Sequence, residues 1–561
     1  MSSEPPPDGS PLAMPIRQAE LVVRNAKVFT MDRARPWASA LAVSDGRFAA
    51  VGGHDDVDGL IGPQTSVIDM GGKLVLPGLL DSHSHAFEGA RADLFEVRLS
   101  PADDIPAIVQ AIGETISKKP GADWLKGAGW AATLAHDLAQ PTALAAIDEV
   151  TGARPLVLRD SSHHSLFANS AAMRAANVDS ATPDVDGGSI IRRADGHPAG
   201  LFLESACGLI ERAVPPDTAE RRRSIARHAA AMYNHFGVTG FVQAAASEST
   251  IRAFSDLDRE CDLNAWVATC IAMDTILTPE HEGIGPDVVA RRHSYRSRHV
   301  AVDFVKFFMD GVPGTRTAAF IEPYLVSGDS VSPHPSPSYS VDELRDLVLP
   351  LDAEGIQVKI HAVGDRAIRD SLDAIAAVRR ANGASGPRHS IAHLSYVADE
   401  DIERLAELNV AADLCPPLWF PNPILVANAK VLGDERGARA WPVGDIVRSG
   451  ALTMIGTDWP IISSPNPWPG LAALITRQHP HGSVPGVFRP EQALSLEQML
   501  PLCTINVAKC MGIDRETGSI SKGKSADFIV LDRDFFVIDP RAIADTLVLQ
   551  TFFVGRLVCE S

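Results

Sequence analysis

The stretch that decides the fold is residues 74–85, which read LVLPGLLDSHSH. Its apolar part is typical of a buried strand, and it leads directly into the polar group Asp81-Ser82-His83-Ser84-His85. On an extended segment, side chains at positions i and i+2 point to the same side, so His83 and His85 share one face. Two imidazoles on one face at a strand end form half of a metal site. Further ligands must then come from other parts of the chain.

The composition favours a large soluble core and excludes several classes of partner. The chain has 561 residues, of which 45% are hydrophobic and 22% are charged, which suits a large barrel with appended pieces. Its 70 acidic and 51 basic residues give a net charge of -19. Nucleic acids and anionic membrane surfaces favour a basic face, so neither is an expected partner. We expect a small-molecule substrate, and the sequence leaves open whether the chain forms a homo-oligomer.

The cysteines and the N-terminal residues bear on the cellular compartment. Seven cysteines are spread along the sequence without a C-x-x-C pair. This favours a reducing compartment and argues against a zinc site built from cysteines. Residues 1–15 have neither a basic start nor an apolar run, so we expect a disordered tail. No apolar run reaches the length of a membrane span. The expected location is the cytoplasm.

Strand and helix patterns predict an α/β fold with three parts. Residues 16–76 and 510–561 are rich in β-forming residues, and together they are expected to form one small β-sandwich domain from both chain ends. Residues 77–509 alternate apolar runs with helical stretches, which predicts a (β/α)8 TIM barrel. Residues 90–230 are expected to form a helical insertion, a candidate lid, after the first barrel strand. The clearest strand-like runs are 302–309, 357–360, 389–392, 410–414 and 451–455.

Polar side chains occur in or directly after these runs, where the active sites of such barrels lie. Taken singly, each has a structural explanation, such as a hydrogen-bonded histidine, a lysine that reaches water or an aspartate that caps a segment. Six of them at equivalent places in five βα units favour one shared metal site. These six residues are His83, His85, Lys306, His361, His393 and Asp458.

Lys306 lies among Phe304, Phe307 and Phe308, where a charged ammonium group is costly unless it is paired. Burial lowers the pKa of a lysine, so the neutral amine becomes accessible. A neutral amine can add carbon dioxide and become a carbamate, an anionic group that could bridge two divalent cations. We therefore hypothesise that Lys306 is carboxylated.

Longer motifs accompany the six residues. Together they resemble the amidohydrolase superfamily, and the longer motifs resemble amidohydrolase family 3, the YtcJ-like group that contains N-substituted formamide deformylase. The resemblance covers nearly the whole chain after residue 16. The matching stretches are Gly127–Trp130, His164–Ser170, Asp195–Gly200, Lys306–Gly311, Thr315–Ala318, His361–Ala367, Gly456–Pro460, Gly518–Ile520 and Lys522–Asp527.

The resemblance implies a centre for a divalent metal, with zinc as the expected ion. It implies that His83 and His85 bind one ion, that His361 and His393 bind a second, and that a carboxylated Lys306 bridges the two. Imidazole and carboxylate ligands also suit Mn, Fe and Co, so the identity of the metal and the number of ions stay open.

The resemblance also assigns a chemical role and shows two departures. Asp458 is expected to contact a metal and to act as general base. Relatives usually carry Glu before the histidine of the sixth strand, whereas this chain has Ala392 before His393. Residues 412–417 depart from the usual small-polar pattern as well. Asp81 is expected to contact and orient one of the ligand imidazoles, and it is not expected to bind the metal itself.

The expected function is hydrolysis of a non-peptide amide bond in a small, N-substituted amide or formamide by metal-activated water. Asp458 would accept the water proton and return it to the leaving amine. His164 and Arg316 are expected to orient the substrate carbonyl or stabilise the oxyanion, and Trp130 and Trp459 to supply an apolar wall. Each of these four also has a structural reading, in loop contacts, ion pairs or core packing.

Two alternatives remain open. The same activated water could hydrolyse an ester, a lactone or a cyclic amide, or deaminate a ring, because fold and metal do not choose the bond. The other alternative is a non-catalytic regulatory homologue that keeps the fold without turnover. The presence of all six candidate metal-site residues argues against it.

Overall fold

The chain folds into two compact units. One consists of residues up to 85 together with 230–561, and the other of residues 86–229. The division falls inside the helix Ala219–His235. The computed structural model describes residues 18–100, 102–118, 124–131, 134–160, 165–185, 188–274, 282–325, 334–416 and 423–561.

The first unit contains a sheet of eight parallel strands that nearly closes into a barrel. Each strand pairs in parallel with the next along the chain. This confirms the predicted α/β barrel. In chain order, barrel strands 1 to 8 are Leu79–Ser84, Val238–Ala246, Trp266–Ala272, Val300–Phe308, Gln357–Ala362, Ser390–His393, Ala411–Leu414 and Thr453–Ile455.

Strand 1 is joined to the segment after strand 8 by two backbone hydrogen bonds. The N–H of Asp458 donates to the carbonyl oxygen of His83 at 2.8 Å, and the N–H of His85 donates to that of Trp459 at 2.7 Å. The approach is so close that a Cβ at Gly456 would lie 2.3 Å from the backbone nitrogen of His83. Only glycine therefore fits at this position without a shift of the backbone.

Barrel strands 4 to 8 are the five strand-like runs of the sequence, and most of their residues are buried, as in a sheet covered on both faces. Strands 2 and 3 are buried throughout as well. The described helices of this unit are His54–Asp58, Glu248–Arg259, Pro286–Arg291, Val341–Ala353, Asp365–Asn382, Asp399–Glu407, Pro423–Leu432, Asp434–Gly437, Val443–Arg448, Trp468–Thr476, Leu496–Leu502 and Ile505–Met511, with 3-10 turns at Arg292–Ser294, Pro313–Thr315, Pro490–Gln492 and Pro540–Asp545.

Strands from both chain ends form two further sheets that share one apolar core. In this core the rings of Phe528 and Phe552 stack with their centroids 4.3 Å apart. Leu74–Pro77 pairs antiparallel with Phe528–Leu531, which joins the two ends in one sheet. The four-stranded sheet has the order Arg47–Gly52, Ala40–Ser44, Leu21–Arg24, Ser66–Asp69, and the six-stranded sheet has the order Arg556–Glu560, Val548–Phe553, Phe528–Leu531, Leu74–Pro77, Lys27–Phe29, Trp37–Ala38.

The second unit has its own sheet and core in addition to its helices, so the expectation of a helical insertion is incomplete. The sheet mixes parallel and antiparallel pairs, and its strands therefore lack the regular βα alternation that the barrel shows in sequence. A lid role for this unit stays a prediction. The strands, in sheet order, are Gly188–Arg192, Pro198–Glu204, Ser165–Ala168, Leu156–Asp160, Leu125–Trp130 and Glu96–Arg98, and the helices are Ala86–Phe95, Ile105–Lys118, Ala135–Leu138, Pro141–Thr151, Ser170–Ala175 and Cys207–Glu211. Across the described residues of the whole chain, none of the helices combines the length and apolarity that a membrane crossing requires.

Candidate metal centre

The C-terminal ends of the barrel strands bring the six candidate metal-site residues to one end of the barrel. All are buried except His361, which is partly buried. This is the end at which barrel enzymes carry their chemistry. The residues are His83 in strand 1, His85 directly after it, Lys306 in strand 4, His361 in strand 5, His393 at the end of strand 6 and Asp458 shortly after strand 8.

Asp458 lies beside both histidines of the first strand. Its Oδ1 atom is 3.7 Å from Nε2 of His83 and 3.6 Å from Nε2 of His85. Ligand atoms of these three residues lie within 4.8 Å of one another, so one ion could contact all three. The ring of His393 continues the cluster, with its centroid 4.8 Å from that of His83 and 4.5 Å from that of His361. Four imidazoles and one carboxylate therefore form a continuous group.

Three buried atoms of this cluster have no hydrogen-bond partner among the residues that the structure describes: Nε2 of His83, Nζ of Lys306 and Oδ1 of Asp458. Buried polar atoms are almost always paired, because an unpaired one costs free energy. A cation would satisfy the imidazole nitrogen and the carboxylate oxygen together. Nitrogen and oxygen donors of this kind suit Zn, Mn, Fe or Co. The residues present therefore fit a divalent metal ion.

The four histidines are neutral at pH 7, which is the form that binds a metal. Burial lowers the pKa of His85 and of His361 to about 3. Burial also holds the pKa of His83 and of His393 well below the usual range.

The protonation of Lys306 and Asp458 is shifted by the same burial. Burial lowers the pKa of Lys306, and the positive charge of Lys359 lowers it further. Burial raises the pKa of Asp458, against the opposing effect of the Lys306 charge. A buried acid and a buried amine with displaced pKa values are typical of a functional site.

Asp413 in strand 7 orients His83 and was missed from sequence. Its Oδ2 atom accepts a hydrogen bond from Nδ1 of His83 at 3.0 Å, which leaves Nε2 of that ring free to face the cluster. Its Oδ1 atom accepts from Oγ of Ser82 at 2.5 Å. Lys359 balances its charge through a buried ion pair and also donates to the backbone oxygen of Ser82 at 3.0 Å. The only sequence signal was the unusual composition of residues 412–417.

His361 is oriented by a backbone oxygen instead of a carboxylate. Its Nε2 atom lies 3.3 Å from the carbonyl oxygen of Gly311. A carbonyl can only accept, so Nε2 of His361 carries the proton and Nδ1 holds the lone pair. Asp310 supports this region by accepting backbone hydrogen bonds from Ala319, Val363 and Gly364, each within 3.0 Å.

Asp81 supports the backbone of the site, and the expectation that it orients an imidazole is wrong. Its carboxylate accepts from the backbone N–H of His83 at 2.9 Å, from the hydroxyl of Thr457 at 2.6 Å and from the hydroxyl of Tyr233 at 3.1 Å. Asp413, on a distant part of the chain, instead accepts the hydrogen bond from the imidazole of His83. Asp81 thereby ties strand 1 to the segment that carries Asp458.

Two of the candidate ligands have strained backbone conformations. The φ angle is +75° at His393 and +59° at Asp458. Few residues other than glycine adopt this left-handed region, and those that do are held there by their surroundings, often at functional sites. At Asp458 the backbone hydrogen bond to His83 provides this restraint.

Three of the four residues expected to bind substrate fall in the described part of the chain, and each has structural contacts of its own. Trp459 is fully buried, with its ring centroid 6.0 Å from that of Tyr233. Arg316 donates from Nη1 to the backbone oxygen of Leu325 at 2.9 Å. Trp130 lies in the core of the second unit, and His164 lies outside the described residues. Their roles in substrate binding stay predictions.

Fold and site together define a class, a barrel hydrolase with a candidate metal centre at the carboxyl ends of its strands. The family model described as "Amidohydrolase family" matches residues 66–559. The chain therefore belongs to this amidohydrolase family, and it is a hydrolase that acts on carbon–nitrogen bonds.

Individual proteins are similar to this chain over nearly their full length. N-substituted formamide deformylase of Arthrobacter pascens is 28% identical over 96% of this chain and 98% of its own. The amidohydrolase YtcJ of Bacillus subtilis is 27% identical over 95% and 98%. An uncharacterized metal-dependent hydrolase from Pyrococcus horikoshii has a TM-score of 0.74 at 23% identity, over 93% of this chain and 99% of its own. That last likeness shows a shared fold.

The role of Asp413 can be tested with Asp413→Asn. We expect metal affinity to fall about 10–100-fold, because an amide is a poorer acceptor for the Nδ1 proton of His83. Affinity is measured by competition with a chromophoric chelator. Asp352→Asn is the matched control, because Asp352 contacts buried His389 at 3.0 Å and His389 lies just before the other end of strand 6. Equal losses of affinity in both variants, or none in Asp413→Asn, would contradict the assignment.

Proposed function

We propose that this protein uses a divalent metal, with zinc as the expected ion, to hydrolyse the C–N bond of a small, N-substituted amide or formamide. The observation that carries the proposal is the group of four neutral imidazoles, two of which lie within 3.7 Å of Asp458, whose buried Oδ1 has no partner among the described residues. Similarity to N-substituted formamide deformylase supports the choice of an amide substrate. The cytoplasm remains the proposed location, on the composition alone.

The proposed ligands divide into two positions and a bridge. A bound divalent ion would supply Lewis-acid polarisation of the carbonyl and would lower the pKa of a bound water to about 7. Where two ions bind, Lys306 in carboxylated form would contact both. The ligands are His83, His85 and Asp458 at the first position and His361 and His393 at the second.

In this proposal Asp458 moves the proton. Its carboxylate accepts the proton of the attacking water as the oxygen of that water bonds to the carbonyl carbon. The C–N bond then breaks, and Asp458 gives the proton to the leaving nitrogen. The products are an amine and a carboxylic acid, which is formate when the substrate is a formamide.

Asp458→Asn tests this proton transfer. We expect turnover to fall about 10²–10⁴-fold while most of the bound metal is retained, because an amide cannot accept the water proton but the imidazoles remain. Turnover and metal content are measured on the same preparation. Asp370→Asn, a buried aspartate that pairs with Arg366 on a helix, should keep both. Near-normal turnover in Asp458→Asn would remove Asp458 from the chemistry.

Metal removal combined with a substrate panel tests the function as a whole. Exhaustive chelation should abolish activity, and added Zn or Mn should restore it. The panel contains N-substituted formamides, acyl amides, esters, lactones, cyclic amides and aminated rings, with formamides or acyl amides expected to react fastest. Full activity of metal-free protein would refute the metal mechanism, and turnover of lactones or aminated rings alone would change the substrate class. A protein that purifies without metal and turns over none of them would be a non-catalytic homologue.

Carboxylation of Lys306 has its own test. Protein incubated with ¹³C-bicarbonate should show a ¹³C carbamate signal by NMR that is absent from Lys306→Ala. Lys126→Ala is the matched control, because Lys126 is a half-buried lysine of the second unit, and it should keep the signal. A signal that survives in Lys306→Ala, or none in metal-loaded wild type, would refute the carbamate.

A further inference from the structure

We propose that Cys415 is a ligand of the metal centre, so that the second metal position carries a sulfur donor. This inference rests on the proposed function, because it assumes a metal at this end of the barrel. Cys415 directly follows barrel strand 7 and is buried. Its Sγ atom lies 3.7 Å from Nδ1 of His393. Ligand atoms of Cys415, His393 and Asp458 all lie within 4.8 Å of one another.

The unpaired carboxylate oxygen is the independent observation that points to a ligand. Asp458 is 5% exposed, and its Oδ1 atom has no hydrogen-bond partner in the part of the chain that the structure describes. The same aspartate takes part in both candidate groups, with His83 and His85 in one and with His393 and Cys415 in the other. An ion in the second group would therefore contact a carboxylate oxygen of Asp458, an imidazole nitrogen of His393 and the sulfur of Cys415 together.

The direction of strand 7 also places Cys415 toward the centre. Asp413 lies two residues earlier and contacts the ring of His83. Side chains at i and i+2 of an extended segment share a face, and this is the same spacing that places His83 and His85 together. Asp413 and Cys415 therefore contribute to the centre from one face of one strand.

Three other buried cysteines contact oxygen atoms of the protein. Cys503 donates to the backbone oxygen of Leu500 at 3.4 Å, and Cys207 to that of Phe202 at 3.5 Å. The sulfur of Cys510 lies 3.7 Å from an amide oxygen of Gln357. Each of these contacts is to an oxygen of the protein core, whereas Cys415 lies beside an imidazole and a carboxylate.

A sulfur donor changes which ions the centre prefers. Zn and Co(II) accept mixed nitrogen, oxygen and thiolate ligands, whereas Mg and Ca favour oxygen alone. On binding, the thiol loses its proton to solvent and a metal–sulfur bond forms, with no change in oxidation state. The cysteine content of the sequence argued against a zinc site built from cysteines, and a single thiolate among imidazoles is compatible with that argument.

Cobalt substitution tests the inference without an activity measurement. Protein loaded with Co(II) should show a near-ultraviolet thiolate-to-cobalt charge-transfer band together with visible d–d bands. Cys415→Ser should lose the charge-transfer band and keep the d–d bands, and the control Cys503→Ser should keep both. X-ray absorption of the zinc-loaded wild type needs no variant and should show a Zn–S distance of about 2.3 Å.

The outcomes separate this inference from the proposed function. Wild-type protein that binds Co(II) or Zn but shows only nitrogen and oxygen ligands would overturn the role of Cys415 and leave the metal centre intact. A charge-transfer band that persists in Cys415→Ser would assign the sulfur to another cysteine and overturn the inference as well. Wild-type protein that binds neither ion would overturn both proposals.

Discussion

The site depends on two backbone hydrogen bonds that join barrel strand 1 to the segment after strand 8. They run from Asp458 to His83 and from His85 to Trp459, at 2.8 Å and 2.7 Å. Because the backbones are held at this distance, the Asp458 carboxylate comes within 3.7 Å of both strand-1 imidazoles. The contact requires Gly456, since any Cβ would meet strand 1, and it holds Asp458 in a left-handed conformation. The hydrogen bonds that join strand 1 to the segment after strand 8 therefore also bring the residues of the candidate metal centre together.

The buried charged residues near the site fall into two groups. Some are paired with another charged group of the protein, and others have an atom without a hydrogen-bond partner among the described residues. Asp413 contacts Lys359 and His83, and each charge of this group is balanced inside the protein. Breaking such a buried pair typically costs about 3–5 kcal/mol, which marks the group as structural support. Lys306 and Asp458 are as deeply buried, yet Nζ of the first and Oδ1 of the second have no hydrogen-bond partner in the described residues. A bound metal ion would satisfy both atoms, and this is why we propose that the chemistry lies with these two residues.

The sequence alone predicted the features that depend on the spacing of side chains along a single strand. The i, i+2 spacing correctly placed His83 and His85 on one face, and buried parallel strands gave apolar runs whose ends could be inspected for histidines. Barrel strands 2 and 3 were not among the strand-like runs singled out from the sequence. Asp413 was missed because it contacts His83 across 330 positions of sequence, and spacing within a strand cannot reveal an acceptor on another strand. The same limit explains the error at Asp81, whose acceptor role depends on backbone N–H groups that sequence does not place.

The pairing register of strands 6 and 7 explains how the site can lack the Glu that the resemblance predicts before His393. Ala392 stands where the family resemblance predicts Glu, and it lies opposite Asp413 in the pairing of strands 6 and 7. The carboxylate that orients an imidazole is therefore present at the same level of the barrel, one strand along. Absence of the usual acid thus does not indicate a site that has lost its ion. Oδ1 of buried Asp458 has no hydrogen-bond partner among the described residues, and a bound cation would offset the free energy that such an unpaired atom costs.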